Sequence, residues 1–199
     1  SDNFAGVHPE VLSAIQKANV GHAIAYGDDP WTHKSNELFK KIFGPAAESF
    51  IVFNGTAANV CSLKHLFSPW QAVICPQSAH MWTDECGSPQ AITGCSLLPV
   101  KGNGGKITPD QCEEFLHGKG FQHHVQPAAL SVTQSTEWGT VYSLEELQNL
   151  SRFAHKNDLL FHIDGARICN AAASLGLSLK ALTTEIGVDV LSFEGTKNG

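Results

Sequence analysis

The sequence predicts an α/β fold: a mostly parallel sheet covered by helices. Two patterns predict it. Short, nearly continuous apolar runs recur along the chain, as expected of strands buried on both faces. Between them lie longer segments whose apolar residues repeat at helical spacing. In sheets of this kind ligands sit beyond the carboxyl ends of the strands, so chemistry is expected just after each apolar run.

The first helix is expected over His8 to Asn19, with Pro9 suited to its first turn. A second spans Trp31 to Gly44 and stops at its glycine. Ser49 to Asn54 (SFIVFN) reads as a short strand, followed by a helix that opens on Gly55 and Thr56. Ala72 to Cys75, Ser96 to Val100 and Ala129 to Thr133 read as further strands. A helix over Thr108 to His117 separates the last two, capped by Thr108 and started by Pro109. Ser143, with Glu146 three residues on, forms a capping box for the next helix. Leu159 to Asp164 as a strand, GARICNAAASL as a helix and Val188 to Phe193 as a strand complete the run. No repeat or linker-like stretch interrupts it, so one domain is expected.

Composition agrees. The 199 residues suffice for one domain with a sizeable core, and 42% hydrophobic with 16% charged residues is ordinary globular usage. A net charge of −6 argues against a nucleic-acid partner. No apolar stretch approaches the roughly 18 residues of a membrane span, and no signal-peptide pattern opens the chain. The six cysteines show no C-x-x-C pair and no zinc-ligand spacing. They read as small thiols in a reducing compartment, and a cytoplasmic location is expected.

Four groups stand at predicted strand ends. Gly55 and Thr56 begin a helix whose N–H groups and dipole suit a phosphate, though the same pair also serves as a plain helix start. His80 follows a strand among small residues, free to contact a ring or to bridge local backbone. Asp164 ends an apolar strand, where a carboxylate is costly unless paired; it suits a helix cap or a buried functional carboxylate, and Arg167 is a candidate partner. Lys197 follows the last strand after a small turn. Together they match what pyridoxal 5′-phosphate (PLP) requires: a phosphate cradle, a ring contact, a carboxylate for the pyridine nitrogen and a Schiff-base lysine.

With those residues in view, the chain resembles the L-threonine aldolases of low-specificity type, within the PLP-dependent aldolases and β-eliminating lyases. The matching stretches are SDNFAGVHPEV, YGDDP, VFNGTAAN, AHMWTDECG, LLPV with GKITPD, TQSTEWGTVYS, HIDGAR and DVLSFEGTKNG, in order from first residue to last. The resemblance implies the large domain of a fold type I, aspartate aminotransferase-like enzyme. It implies that Lys197 carries the cofactor, Asp164 pairs with the pyridinium nitrogen, and Gly55 and Thr56 cradle the phosphate. Arg167 and Ser1 would bind the substrate carboxylate. His80 would stack on the ring and lie near the substrate hydroxyl. His124, or His123 in its place, would be a second histidine near that hydroxyl.

The implied reaction is cleavage of L-threonine or L-allo-threonine to glycine and acetaldehyde, after the substrate amine displaces Lys197. His80 or His124, directly or through water, would take the β-hydroxyl proton. The implied partners are a small amino-acid substrate and other copies of the chain, in a homodimer or homotetramer with shared active sites. Two departures accompany the resemblance. Glu194 stands where the family has glycine. The small C-terminal domain of the family is missing, so 1–199 is expected to be the N-terminal segment plus the PLP-binding large domain, ending just after the cofactor lysine. The alternatives are a related PLP lyase acting by β-elimination or on phenylserine-type substrates, and a non-catalytic fragment.

Overall fold

A computed structural model describes residues 2–198. Five apolar runs pair side by side: β1 (Gln71–Pro76), β2 (Ser96–Val100), β3 (Gln126–Thr133), β4 (Leu160–Gly165) and β5 (Val190–Phe193). Their order is β2-β1-β3-β4-β5, and each adjacent pair is parallel. Alternation along each strand sends side chains to two cores. Ile74, Leu130, Val132, Phe161 and Ile163 point to one face, where they meet α7 (Leu144–Lys156) and α8 (Ile168–Leu175). Val73, Cys75, Leu97 and Ala129 point to the other, against Leu63 and Phe67 at the end of α3 (Gly55–Leu66).

The helix signals hold where burial supports them. Ser143 Oγ accepts from Glu146 N–H at 3.2 Å while the Glu146 carboxylate accepts from Ser143 N–H at 2.6 Å, so both ends of the capping box close. Thr108 and Pro109 start α6 as expected, but α6 (Pro109–Cys112) is one turn long and passes into a 3-10 turn over Glu113–Leu116. The helix expected from Gly165 starts instead at Ile168, because Gly165 belongs to β4 and a Cβ there would strike Leu191 at 2.6 Å.

The expected strand at Ser49 to Asn54 does not form. That segment carries no regular structure, and Phe50, Ile51 and Phe53 are largely exposed. An apolar run becomes a strand only when a neighbour takes its backbone hydrogen bonds; here no strand lies beside it. Helix α1 (Pro9–Ala18) is exposed too: it buries none of its residues although Val11, Leu12 and Ile15 share one face.

One polar element crosses the sheet. His162 on β4 is fully buried, with Nδ1 2.8 Å from Ser131 Oγ on β3 and Nε2 3.0 Å from Ser192 Oγ on β5. A neutral imidazole donates from one nitrogen and accepts at the other, and a hydroxyl supplies either role. Burial holds the ring neutral and pushes its pKa down to about 4, against a smaller opposing pull from Asp164.

Two expectations follow. Phe161 is fully buried in the main core, so Phe161→Ala should cost about 3–5 kcal/mol in a urea titration. For His162 the unfolded chain binds the proton first, so stability should fall as pH drops from roughly 6.5 toward the folded value and level off below it. The loss is on the order of 3 kcal/mol. His162→Gln should flatten the pH dependence of the urea midpoint across that window.

Candidate active site

Because the strands are parallel, their carboxyl ends open on one side of the sheet. A cleft of about 190 Å³ lies there, lined by residues from α3, from the turns after β1, β3, β4 and β5, and from the N-terminal segment. Thr133 and Asp164 are register partners on β3 and β4, and Asp164 pairs with Ser192 on β5. The strand ends are therefore level.

Asp164 is buried, with Oδ2 accepting from Asn59 Nδ2 at 3.0 Å and Oδ1 from Ala166 N–H at 3.0 Å. These bonds offset the desolvation that an unpaired carboxylate suffers. Asp164 bonds the turn after β4 and lines the cleft, but it is not the expected helix cap, since α8 begins at Ile168 with Arg167 at its N-cap. Arg167, the partner considered for it, bonds elsewhere: Nε and Nη2 reach the two carboxylate oxygens of Asp2 at 2.5 and 3.0 Å. The guanidinium holds Asp2 below the usual carboxylate range.

Lys197 lies in the cleft with its side chain only 10% exposed. The turn that carries it is pinned by Asn198, which donates to Gly165 O and Glu194 O and accepts from Cys169 N–H. Lys197 Nζ is 2.8 Å from Glu194 Oε2. The same oxygen lies 3.4 Å from where a Cβ on Gly55 would stand, so the Glu194 carboxylate sits at the start of α3. Asn54 caps that helix through Ala57 N–H at 2.7 Å, and Gly55 and Thr56 line the cleft.

His80 opens the short helix α4 (His80–Thr83) and also lines the cleft. Its N–H donates to Glu137 Oε1 at 3.0 Å, and its Nδ1 lies 2.9 Å from Glu85 Oε1. That bond to Glu85 raises the His80 pKa above the ordinary histidine value, against partial burial. Burial also pushes the Glu137 carboxyl up, and the Asp164 charge adds to it, while Thr133 Oγ1 and backbone donors oppose.

The cleft gathers Lys197, Asp164, His80, Arg167, Gly55 and Thr56, all singled out from the sequence. It does not gather His124. That residue sits in the turn before β3 with its ring 5.2 Å from Phe121, and His123 packs on the same phenyl ring at 5.5 Å. Both belong to a turn held by Gln126, which bonds Gly118, Phe121 and His124 carbonyls. Ser1 lies outside the described residues. Sequence reasoning missed Asn59, Glu85, Thr133 and Glu137. One signal was available for Asn59, four residues after Gly55 and hence on the same face of α3; Glu137 reaches the cleft, and Glu85 reaches the Asn59 and His80 side chains behind it, only through tertiary packing.

The residues fit PLP. Two buried atoms at the cleft, Asn59 Oδ1 and Glu137 Oε2, have no hydrogen-bond partner among the described residues. A carboxylate already stands at the positive end of α3, where a phosphate would bind. An amine and a buried carboxylate face the space between. Among the described residues no group of three or more His, Cys, Asp and Glu is arranged to hold a metal.

The architecture is that of PLP fold type I enzymes. Aspartate aminotransferase from Thermus thermophilus, with maleate, superposes at a TM-score of 0.58 and 18% identity, over 77% of this chain and 39% of that one, a likeness of fold alone. The chain belongs to the beta-eliminating lyase family, whose profile matches residues 1–199. Members of this family depend on PLP. The low specificity L-threonine aldolase of Pseudomonas sp. (strain NCIMB 10558) is 44% identical over all of this chain and 58% of its own length. The solved Leishmania major threonine aldolase superposes at a TM-score of 0.92 with 28% identity, over 100% of this chain and 58% of that one. The chain therefore spans little more than half the length of these relatives.

A phosphate placed at the start of α3 would meet the Glu194 carboxylate already standing there. Glu194→Gln keeps the shape and removes the charge, so PLP should bind it more tightly, on the order of tenfold for about 1.4 kcal/mol. Absorbance titration reads the two midpoints, and equal midpoints would mean the carboxylate swings clear at no cost.

Proposed function

We propose that the protein to which this chain belongs cleaves L-threonine and L-allo-threonine to glycine and acetaldehyde, with PLP as cofactor. One observation carries the reading: a lysine after β5, an aspartate and an arginine at the end of β4 and a histidine after β1 line one cleft. The match to relatives named low-specificity L-threonine aldolase supports the choice of substrate.

In this reading the Lys197 amine holds the cofactor and yields to the substrate amine. Gly55 and Thr56 N–H groups bind its phosphate at the start of α3. Asp164 keeps the pyridine nitrogen protonated. Bound there, PLP supplies a ring that accepts the electron pair left when Cα–Cβ breaks. Arg167 takes the substrate carboxylate in exchange for Asp2, which is already held in the matching two-oxygen geometry. His80 accepts the β-hydroxyl proton, and the leaving carbon departs as acetaldehyde. A proton delivered to Cα completes glycine. His124 enters this scheme only as a contribution to a neighbouring copy's cleft.

Association is part of the proposal. The apolar face of α1 and the exposed Phe50, Ile51 and Phe53 are the surface that a second copy covers in a homodimer or homotetramer. The six cysteines are free thiols, which supports a cytoplasmic, reducing location. Among the described residues no helix is long and apolar enough to cross a membrane.

The test adds PLP to the purified chain and to its Lys197→Ala variant. The wild type should develop an absorbance band that borohydride bleaches and fixes to Lys197, and threonine should then yield equal glycine and acetaldehyde. The variant should show neither. Ammonia and a keto acid among the products would point to β-elimination instead, and absence of the band would sink the reading for this chain.

A further inference from the structure

We propose that Glu85 is the positioning residue for His80, setting the ring so that Nδ1 carries the proton and Nε2 is left as the acceptor for the cleft. Asn59 completes the arrangement by tying Glu85 to Asp164. The functional meaning of this rests on the aldolase reading above; the hydrogen-bond assignment does not.

The Glu85 side chain has no solvent exposure. Its Oε1 is 2.8 Å from Asn59 Nδ2 and 2.9 Å from His80 Nδ1, while Oε2 has no partner among the described residues. Such a carboxylate is expensive to bury, and a structural filler would be better apolar. Asn59 Nδ2 also donates to Asp164 Oδ2 at 3.0 Å. The amide nitrogen has two hydrogens and is a donor only, so both carboxylate oxygens it touches are acceptors. The reverse placement of the amide would set its oxygen against two carboxylates. Glu85 Oε1 therefore accepts from Asn59, and it accepts from His80 as well. The neutral ring then carries its hydrogen on Nδ1, and Nε2 has a lone pair.

The surroundings also favour the protonated ring. Besides Glu85, the charges that face His80 are Asp84 at the end of α4 and Asp164 on β4, and Glu137 from the turn after β3 accepts its backbone N–H. All four are acidic. Transfer of the β-hydroxyl proton to Nε2 yields an imidazolium whose new charge lies beside Glu85, while the O–H pair left on oxygen forms the second bond of the acetaldehyde carbonyl and the Cα–Cβ pair remains with the glycine fragment. Orientation and charge stabilisation come from one buried carboxylate.

The experiment is nitrogen-15 NMR of the imidazoles in the cofactor-free chain, with His80→Asn to assign the ring. The neutral His80 ring should show its hydrogen on Nδ1, and its titration midpoint should lie above that of an ordinary histidine. Glu85→Gln should lower that midpoint. In the PLP-loaded protein the same variant should move the acid limb of kcat/KM to lower pH, since the base then stays neutral further down. A hydrogen on Nε2 in the wild type, or a midpoint unmoved by Glu85→Gln, would overturn the proposal. The wild-type tautomer needs no variant, so the test stands even if Glu85→Gln does not fold. Failure to cleave threonine with the predicted tautomer present sinks the aldolase reading alone; cleavage with the hydrogen on Nε2 sinks this proposal alone.

Discussion

The parallel pairing of five strands is the constraint on which the rest of the molecule depends. Each strand must leave the sheet on the same side, so the turns after β1, β3, β4 and β5 meet over one surface. Level register between Thr133, Asp164 and Ser192 keeps that surface compact. The two apolar cores hold this arrangement, and the segments that cover them return the chain to the start of the next strand.

Charge in the cleft is balanced locally. Arg167 is matched by Asp2, Lys197 by Glu194 and the His80 ring by Glu85. Each pairing places a carboxylate beside a cation in a partly enclosed space, where an unmatched charge is costly. Two of these carboxylates stand where anions of a bound cofactor and substrate are expected. In the proposed reading, loading the site would exchange ion pairs, and its free energy would be a difference between similar terms. The acidic groups around His80 are of another kind, since no incoming anion replaces them; they set the proton affinity of the ring.

Legibility varied with the range of the interaction. The capping box at Ser143 and the start at Pro109 were readable because each is decided within one helical turn. The strands inside the sheet were readable because burial on both faces demands continuous apolar runs. Ser49 to Asn54 was misread for the same reason: an identical composition appears where apolar residues line an exposed surface. His124 was assigned to the site by likeness of motif, yet its turn closes on Gln126 and Phe121 and keeps it out of this chain's cleft.

The sequence by itself determined the α/β class, the helix starts at Pro109 and Ser143 and the residue types that PLP chemistry requires, because local propensity and apolar period suffice for these. It also marked Glu194 as out of place. Only the tertiary structure decided which groups meet. Arg167 turned from Asp164 to Asp2, Glu194 found Lys197, and Asn59 joined Glu85 to Asp164. The Arg167–Asp2 and Asn59–Glu85–Asp164 contacts join residues far apart in the chain, and their geometry is set by the packing of whole elements rather than by any spacing along it; Glu194 and Lys197 are only three residues apart, in a turn pinned by Asn198.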